Sequence, residues 1–307
     1  MSIKMYAKRR SIRSYLVEKF LFLIGVKKVF TTPERTKKFI IERGMTNDKP
    51  YEIGNTSLVS EVTERSFQNM QVFVLNEGNN QAQKVILYLH GGGWTNQPLS
   101  FHWRFVDRLA QTLDAKVIVP IYPKVPHFNA GHAFAKLLAL YKATIETISD
   151  PKQLVIMGDS AGGNLSLGLV QLLKREQLPQ PKEIIVLSAC VDMTFENPAI
   201  PGYEKKDPLL SAGGIAVITE RWADGKTLTD PLLSPIYGDF TEIAPISHFL
   251  GTHESLYPDG VAFDKKLTDK GIAIDTFVYP KMNHVFVLMP IPEAKDAFAK
   301  IKRIIQQ

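Results

Sequence analysis

An apolar run in the middle of the chain is followed directly by small residues around one serine. Residues 154–157 (Leu-Val-Ile-Met) predict a buried strand, and residues 158–163 (Gly-Asp-Ser-Ala-Gly-Gly) follow it. The spacing is G-x-S-x-G, and its small residues permit a sharp strand-to-helix turn that lifts the Ser160 hydroxyl clear of its own backbone. The pattern therefore predicts a nucleophilic serine. Taken alone, the pattern would also fit a glycine-rich strand-to-helix connection that has no catalytic role.

A second glycine cluster follows an earlier apolar run. Residues 84–89 predict another buried strand, and the sequence His-Gly-Gly-Gly-Trp comes directly after it at 90–94. A loop without side chains can turn consecutive backbone N–H groups toward an oxyanion, and the N–H after the serine can join them. We expect His90 to brace this loop through ring hydrogen bonds. The candidate oxyanion donors are Gly91, Gly92, Gly93 and Ala161, and the pattern does not say which loop glycines donate.

An acid and a histidine follow two later strand-like runs, in the chain order serine, acid, histidine. Glu254 comes after the run at 246–250, and His284 comes after the run at 274–279. The carboxyl ends of strands in an open α/β sheet meet at one edge, so both side chains can converge on Ser160. His284 is predicted to take and return the serine proton, a task that needs a group titrating near neutrality. Glu254 is predicted to hold the imidazole in the correct tautomer.

Neighbouring residues offer alternatives for these roles. Asp259 is a second candidate for the acid, and His253 is a weaker rival for the base because its neighbour Glu254 must orient a different ring. Asp159 lies beside the serine on a tight turn, where its side chain points away from the hydroxyl. It is expected to hydrogen-bond backbone or supporting groups around the site.

Taken together, the motifs resemble those of the hormone-sensitive-lipase family of α/β-hydrolases. The resemblance covers roughly residues 80–307, and four segments carry it: 90–94, 158–164, 252–259 and 283–286. It implies an α/β-hydrolase fold, with a mostly parallel central sheet, helices on both faces and a helical cap. It also implies a serine carboxylesterase with a Ser160, Glu254 and His284 triad.

The chain departs from the family pattern in two places. Most members have Asp before Pro-Leu in the third motif, whereas this chain has Glu254-Ser255-Leu256. A carboxylate of either length can serve in this position. The segment 121–126 lacks the acidic residue that family members usually have before its tyrosine. This difference concerns the structure of the segment and none of the predicted catalytic residues.

Apolar runs alternate with helix-like stretches along the chain, which predicts a parallel sheet covered on both faces. Strands are expected at 70–75, 84–89, 117–121, 154–157, 184–190, 246–250 and 274–279, and helices at about 130–149, 163–176, 259–270 and 293–305. Residues 192–235 are rich in proline and interrupt this alternation, which favours a cap insertion. The predicted division is an N-terminal cap part at 1–50, core at 51–191, the cap insertion at 192–235 and core at 236–307.

Composition is that of an ordinary globular enzyme. The 307 residues are 45% hydrophobic and 22% charged, and the one cysteine excludes an internal disulfide. Cys190 ends an apolar run and is predicted to be a buried strand residue, and the cysteine usage favours a cytoplasmic location. The remaining histidines show no metal-ligand spacing, so neither a metal nor another cofactor is expected.

Basic residues at the N-terminus surround a short apolar run at 20–26, within a net charge of +6. A signal peptide is disfavoured because Lys27 and Lys28 replace its cleavage site, and the run is too short to span a membrane. We expect an amphipathic helix whose apolar face packs over the active-site mouth, with docking to a membrane surface as the less favoured interpretation. No nucleic-acid motif is present, and a homo-oligomer stays open.

The predicted activity is hydrolysis of short- to medium-chain acyl esters through an acyl-serine intermediate, with a small-molecule ester as substrate. Two alternatives use the same fold. One is a protein that binds small molecules without turning them over, and the other is an amide or acetyl-group hydrolase. The complete set of Ser160, Glu254 and His284 favours catalysis over binding alone.

Overall fold

The central strands of the protein are its apolar runs. The computed structural model describes residues 2–80 and 82–307, and these form β1 to β9 in one sheet. The strands are Ser2–Met5, Val62–Phe67, Met70–Leu75, Val85–Leu89, Lys116–Pro120, Leu154–Asp159, Glu183–Leu187, Ile246–His253 and Ile274–Asn283. Strands β4 and β6 are buried along their whole length, which requires helices on both faces of the sheet.

The sheet is parallel except at one end. The strand order is β1-β9-β8-β7-β6-β4-β5-β3-β2, and among these nine described strands β3 alone points in the opposite direction to the others. The tight β2–β3 hairpin turns at Gln68 and Asn69, whose φ angles of 48° and 63° are the positive values that such two-residue turns need. Parallel pairing brings the carboxyl ends of β4, β6, β8 and β9 to the same edge, where the predicted site residues follow them.

Helices cover both faces of this sheet. The helices α1 to α9 are Ile12–Ile24, Pro33–Asn47, Ser100–Leu113, Ala130–Ile145, Ala161–Arg175, Ile200–Glu204, Ala212–Ala223, Tyr257–Asp269 and Pro292–Gln306. Short 3-10 helices span Val26–Phe30, Pro151–Gln153, Pro235–Tyr237 and Phe286–Leu288. Buried side chains of α4, α5, α7 and α8 join one core, and those of α3 and α9 join the core on the other face.

All seven expected strands and all four expected helices are present, with ends that differ by a few residues. The structure adds β1, β2 and α3, none of which was predicted. Strand β1 pairs in parallel with β9, so the assignment of residues 2–5 to a cap is wrong. Cys190 is buried as expected but lies beyond the end of β7, and burial raises the pKa of its thiol.

The two segments predicted to form a cap pack against each other. A Cβ built on Gly214 in α7 would lie 2.2 Å from the carbonyl oxygen of Phe30, so the two backbones nearly touch. Trp222 of α7 stacks on Trp94 at a ring separation of 5.9 Å, which joins the insertion to the glycine loop. The Nζ of Lys27 donates to the carbonyl of Glu204 in α6. These contacts agree with a cap built from both segments, whose boundaries remain a prediction.

Candidate active site

Ser160 lies on the predicted sharp turn between β6 and α5. Its backbone has φ 52° and ψ −117°, a conformation that residues with side chains rarely adopt. Its N–H donates to the carbonyl of Leu187 at 2.8 Å, and its carbonyl accepts the N–H of Asn164 at 3.0 Å. The strained conformation is thereby tied to β7 on one side and to α5 on the other. The serine side chain stays partly accessible to solvent.

Glycines around the serine allow α5 to approach the sheet closely. A Cβ on Gly162 would lie 1.8 Å from the carbonyl oxygen of Leu89, and a Cβ on Gly158 would lie 2.3 Å from that of Gly162. Both separations are shorter than any real Cβ contact. The missing side chains therefore let the N-terminus of α5 rest against the end of β4, which places Ser160 beside the glycine loop that follows β4.

A chain of hydrogen bonds joins Ser160, His284 and Glu254. The Oγ of Ser160 lies 2.8 Å from Nε2 of His284, and Nδ1 of the same ring lies 2.7 Å from Oε2 of Glu254. The other carboxylate oxygen of Glu254 accepts the N–H of Gly251 at 2.7 Å. His284 and Glu254 are buried, and they follow β9 and β8 directly. The structure thus brings together the three residues predicted from widely separated segments.

The surroundings of His284 favour its charged form. Burial by itself lowers the pKa of His284, but the hydrogen bond and charge of Glu254, followed by the charges of Asp207 and Asp159, raise it above the usual value. A ring that holds a proton more strongly is a better acceptor for the serine proton. The same charges stabilise the imidazolium that forms when the proton moves.

Asp207 and Ser188 support this arrangement, and neither was among the predicted site residues. The buried carboxylate of Asp207 accepts the N–H of Ser255, next to Glu254, at 2.7 Å. The hydroxyl of Ser188 accepts the N–H of Val285, next to His284, at 3.1 Å. Asp207 begins the run Asp-Pro-Leu at 207–209, which weakly resembles a further segment of the hormone-sensitive-lipase pattern and was the available signal, whereas nothing local distinguishes Ser188.

His90 supports the glycine loop as predicted, and Tyr122 supports it as well. The ring of His90 lies with Nδ1 2.6 Å from the carbonyl of Gly91 and stacks on Tyr122 at 4.5 Å. The Tyr122 hydroxyl donates to the carbonyl of His90 at 2.8 Å. These contacts fix the end of β4 and the first turn of the loop.

One of the expected oxyanion donors is already engaged. The N–H of Gly91 donates to Oδ1 of Asp159 at 2.9 Å, so the structure removes Gly91 from the candidate donors. Within residues 2–80 and 82–307, the N–H groups of Gly92, Gly93 and Ala161 have no hydrogen-bond acceptor. Gly92 and Gly93 have positive φ angles of 116° and 60°. The remaining free donors are therefore these three amides, which come from both sides of the serine.

Asp159 holds three groups together beneath the serine. In addition to the Gly91 amide, it accepts the hydroxyl of Tyr88 at 2.6 Å and faces Nε2 of His102 at 3.3 Å. The N–H of Leu99 donates to Nδ1 of His102, so the proton of the neutral ring is on Nε2 and points to Asp159. Burial by itself raises the pKa of Asp159, but the contacts with His102, Tyr88 and Gly91 lower it below the usual value.

The rival candidates are engaged elsewhere. Nδ1 of His253 lies 2.7 Å from the carboxylate of Glu18, on α1. Asp259 accepts the amide of Asn197 at 2.8 Å, and burial raises its pKa to about 6. The structure therefore joins Glu254, and neither rival, to His284. Among the residues that the structure describes, no group of three potential ligands could hold a metal ion.

Known proteins share this sequence pattern. A family model described as the alpha/beta hydrolase fold matches residues 86–288. An esterase of Acinetobacter venetianus is 29% identical over 223 residues, which cover 72% of this chain and 74% of that protein. An acetyl-hydrolase of Streptomyces hygroscopicus is 26% identical over 206 residues, which cover 67% of this chain and 69% of that protein.

Solved structures share the fold as well. The crystal structure of a putative esterase from Staphylococcus aureus is 31% identical and superposes with a TM-score of 0.87, over 92% of this chain and 96% of that chain. The family model covers most of the described core, including the glycine loop, the serine turn and His284. The predicted resemblance is thereby confirmed, and this chain belongs to the alpha/beta hydrolase fold family.

Proposed function

We propose that this protein is a serine carboxylesterase that hydrolyses short- to medium-chain acyl esters through an acyl-serine intermediate. The observation that carries the proposal is the continuous hydrogen-bonded relay from the Ser160 hydroxyl through His284 to Glu254, with separations of 2.8 and 2.7 Å. Relatives in the same family that are named esterase and acetyl-hydrolase support the same class of reaction. A protein that binds its ligand without turnover has no need of a complete relay.

The geometry supports a two-step reaction. Oγ of Ser160 attacks the ester carbonyl carbon while Nε2 of His284 takes the hydroxyl proton, and Glu254 holds the ring and stabilises its charge. The free amides of Gly92, Gly93 and Ala161 are the proposed donors to the oxyanion, and one such donor is worth about a hundredfold to a thousandfold in turnover. His284 then returns the proton to the departing alcohol. Water, activated by the same ring, hydrolyses the acyl-serine.

The acyl group would lie beneath the cap. In this proposal the cap consists of the N-terminal helical segment up to about residue 50, without β1, together with residues 192–235. The stacked pair Trp94 and Trp222 joins the cap to the glycine loop, so cap residues are placed to limit acyl length. The acetyl-hydrolase among the relatives supports small acyl groups. A cytoplasmic location remains a prediction.

The test is hydrolysis of p-nitrophenyl esters of increasing acyl length by three purified proteins. These are the wild-type chain, Ser160→Ala and Ser149→Ala, the last being a matched control on an exposed serine far from the relay. We expect wild-type activity in the control and a loss of about a thousandfold or more in Ser160→Ala. Equal activity of the wild type and Ser160→Ala, or none in any protein across all esters, would refute the proposal.

A further inference from the structure

Helix α1 is attached to the protein through polar contacts. Glu293 of α9 accepts the backbone N–H of Ser11 at 2.7 Å and its hydroxyl at 2.9 Å. The buried carboxylate of Glu18 pairs with Arg10 at 3.1 Å and with His253 at 2.7 Å. The two fully buried residues of α1, Ser14 and Glu18, are therefore polar, and Val17 adds a partly buried apolar contact with the core. An ordinary surface helix buries mainly apolar residues.

The opposite side of α1 exposes apolar side chains to solvent. Ile12 and Leu23 are 79% and 81% exposed, and Leu16 and Phe20 are 59% and 58% exposed. Successive members of this set lie four, four and three positions apart, so they form one stripe along the helix. Further exposed apolar side chains flank the stripe at Tyr15, Phe22, Ile24 and Val26. The expectation that the apolar face of this segment packs against the protein is therefore wrong for α1.

Within α1 and the segments that flank it in the chain, the exposed charges are positive. Every exposed residue of α1 that is not apolar or aromatic is basic, namely Arg13 and Lys19. Exposed lysines and arginines lie directly before and after the helix at Lys8, Arg9 and Lys28. The one acidic residue in the first 28 positions is Glu18, which is turned inward.

We propose that α1 docks this protein on the surface of an anionic lipid bilayer, with the stripe of Ile12, Leu16, Phe20 and Leu23 inserted at the interface. An apolar helix face bordered by lysine and arginine is the combination that binds anionic interfaces. A second copy of the chain would bring the same positive charge to the contact and would be repelled. No helix formed by the described residues is both long and apolar enough to cross a bilayer. With its 13 residues, α1 in this proposal lies along the surface, since a spanning helix needs about 20.

The docked helix lies near the candidate active site. Its Glu18 contacts His253, the last residue of β8, and Glu254 of the relay is the next residue in the chain. Docking through α1 would therefore hold this edge of the sheet close to the lipid surface, where esters with apolar acyl chains accumulate. The lipid contact itself does not depend on the proposed catalysis.

The experiment measures co-sedimentation with vesicles in the Ser160→Ala background, so that lipid hydrolysis cannot interfere. One set of vesicles is phosphatidylcholine alone, and the other is equimolar phosphatidylcholine and phosphatidylglycerol. The variants are Leu16→Gln/Phe20→Gln/Leu23→Gln on the stripe and Arg13→Glu/Lys19→Glu beside it. The matched control changes two exposed apolar residues elsewhere, Val59→Gln/Leu99→Gln.

We expect the control to bind phosphatidylglycerol vesicles as the parent does, and each α1 variant to bind about tenfold or more weakly. Binding should weaken with added salt and be weak on phosphatidylcholine alone. Circular dichroism should show unchanged folding, since the substituted side chains are exposed. Failure of the parent to bind either vesicle, or undiminished binding by the α1 variants, would overturn the proposal. A dimer that the stripe variant dissociates would assign the stripe to a second copy instead.

Discussion

Substituting Glu254 by glutamine tests the member of the relay that departs from the family pattern. The present carboxylate accepts the Gly251 N–H with one oxygen and the His284 ring with the other. The amide of Glu254→Gln must keep its carbonyl oxygen on the Gly251 N–H, because two N–H groups cannot face each other. Its NH2 group then points at Nδ1 of His284, which must become an acceptor. The ring proton moves to Nε2, which faces Ser160 and can no longer take the hydroxyl proton.

The expected loss follows from this change of tautomer. A comparable acid-to-amide substitution in a serine triad lowers kcat by about 10,000-fold, which corresponds to about 5.5 kcal/mol of transition-state stabilisation. Folding should be preserved, because glutamine has the same size and still accepts the Gly251 N–H. KM should change little, since Glu254 is buried behind His284 and does not face the substrate.

The assay is steady-state hydrolysis of p-nitrophenyl butyrate, with Asp259→Asn as the matched control. Asp259 is the other acid that the sequence allowed, and the structure joins it to Asn197 rather than to the relay. We expect Asp259→Asn to keep kcat within about threefold of the wild type. If Glu254→Gln keeps more than a tenth of wild-type kcat, or if Asp259→Asn loses as much activity as Glu254→Gln, Glu254 does not have this role.

Three further outcomes are expected. Gly162→Ala should prevent soluble folding or abolish activity, because the added Cβ would lie 1.8 Å from the carbonyl oxygen of Leu89. The control Gly202→Ala adds its Cβ in open space and should unfold near the wild-type temperature. The raised pKa of His284 should place the acidic limb of the kcat/KM profile above pH 6.5, with activity falling as the ring is protonated; a limb below 6.5 would contradict the charge arrangement. Asp159→Asn should lower the free energy of unfolding, measured by chemical denaturation, by about 2 kcal/mol and should also lower kcat. The reason is that one of the three hydrogen-bond donors that face Asp159 loses its acceptor. Unchanged values would show that Asp159 does not support the site in this way.

Much of the fold and site could be predicted because local sequence restricts the backbone strongly. The small residues around Ser160 and the glycines after His90 allow turns that residues with ordinary side chains avoid. The apolar runs that became β4 and β6 are long enough and β-branched enough to indicate buried strands. The order serine, acid, histidine placed Glu254 and His284 at the correct edge of the sheet. The inferences about the turns and the strands each depend on a few neighbouring residues.

Other features depend on partners that are distant in the chain. Strand β1 is too short and too polar to be recognised, and it is a strand because β9, more than 270 residues away, offers it an edge. The amide of Gly91 is occupied because Asp159 reaches it from the next strand, which no count of glycines could show. His102 carries no local signal, and its role comes from the position of α3 above the sheet.

The fold, the nucleophile and the chemical class of the site were therefore predictable from the amino-acid sequence, because they follow from backbone conformation and the periodicity of apolar residues. The choice of Glu254 over Asp259 as the partner of His284 required the three-dimensional packing, since both acids lie within one loop and helix turn and differ in direction alone. The same packing sets which side of α1 faces outward. Amphipathic patterning cannot show that, because the polar contacts of Glu18 with Arg10 and His253 hold the helix in the reverse orientation.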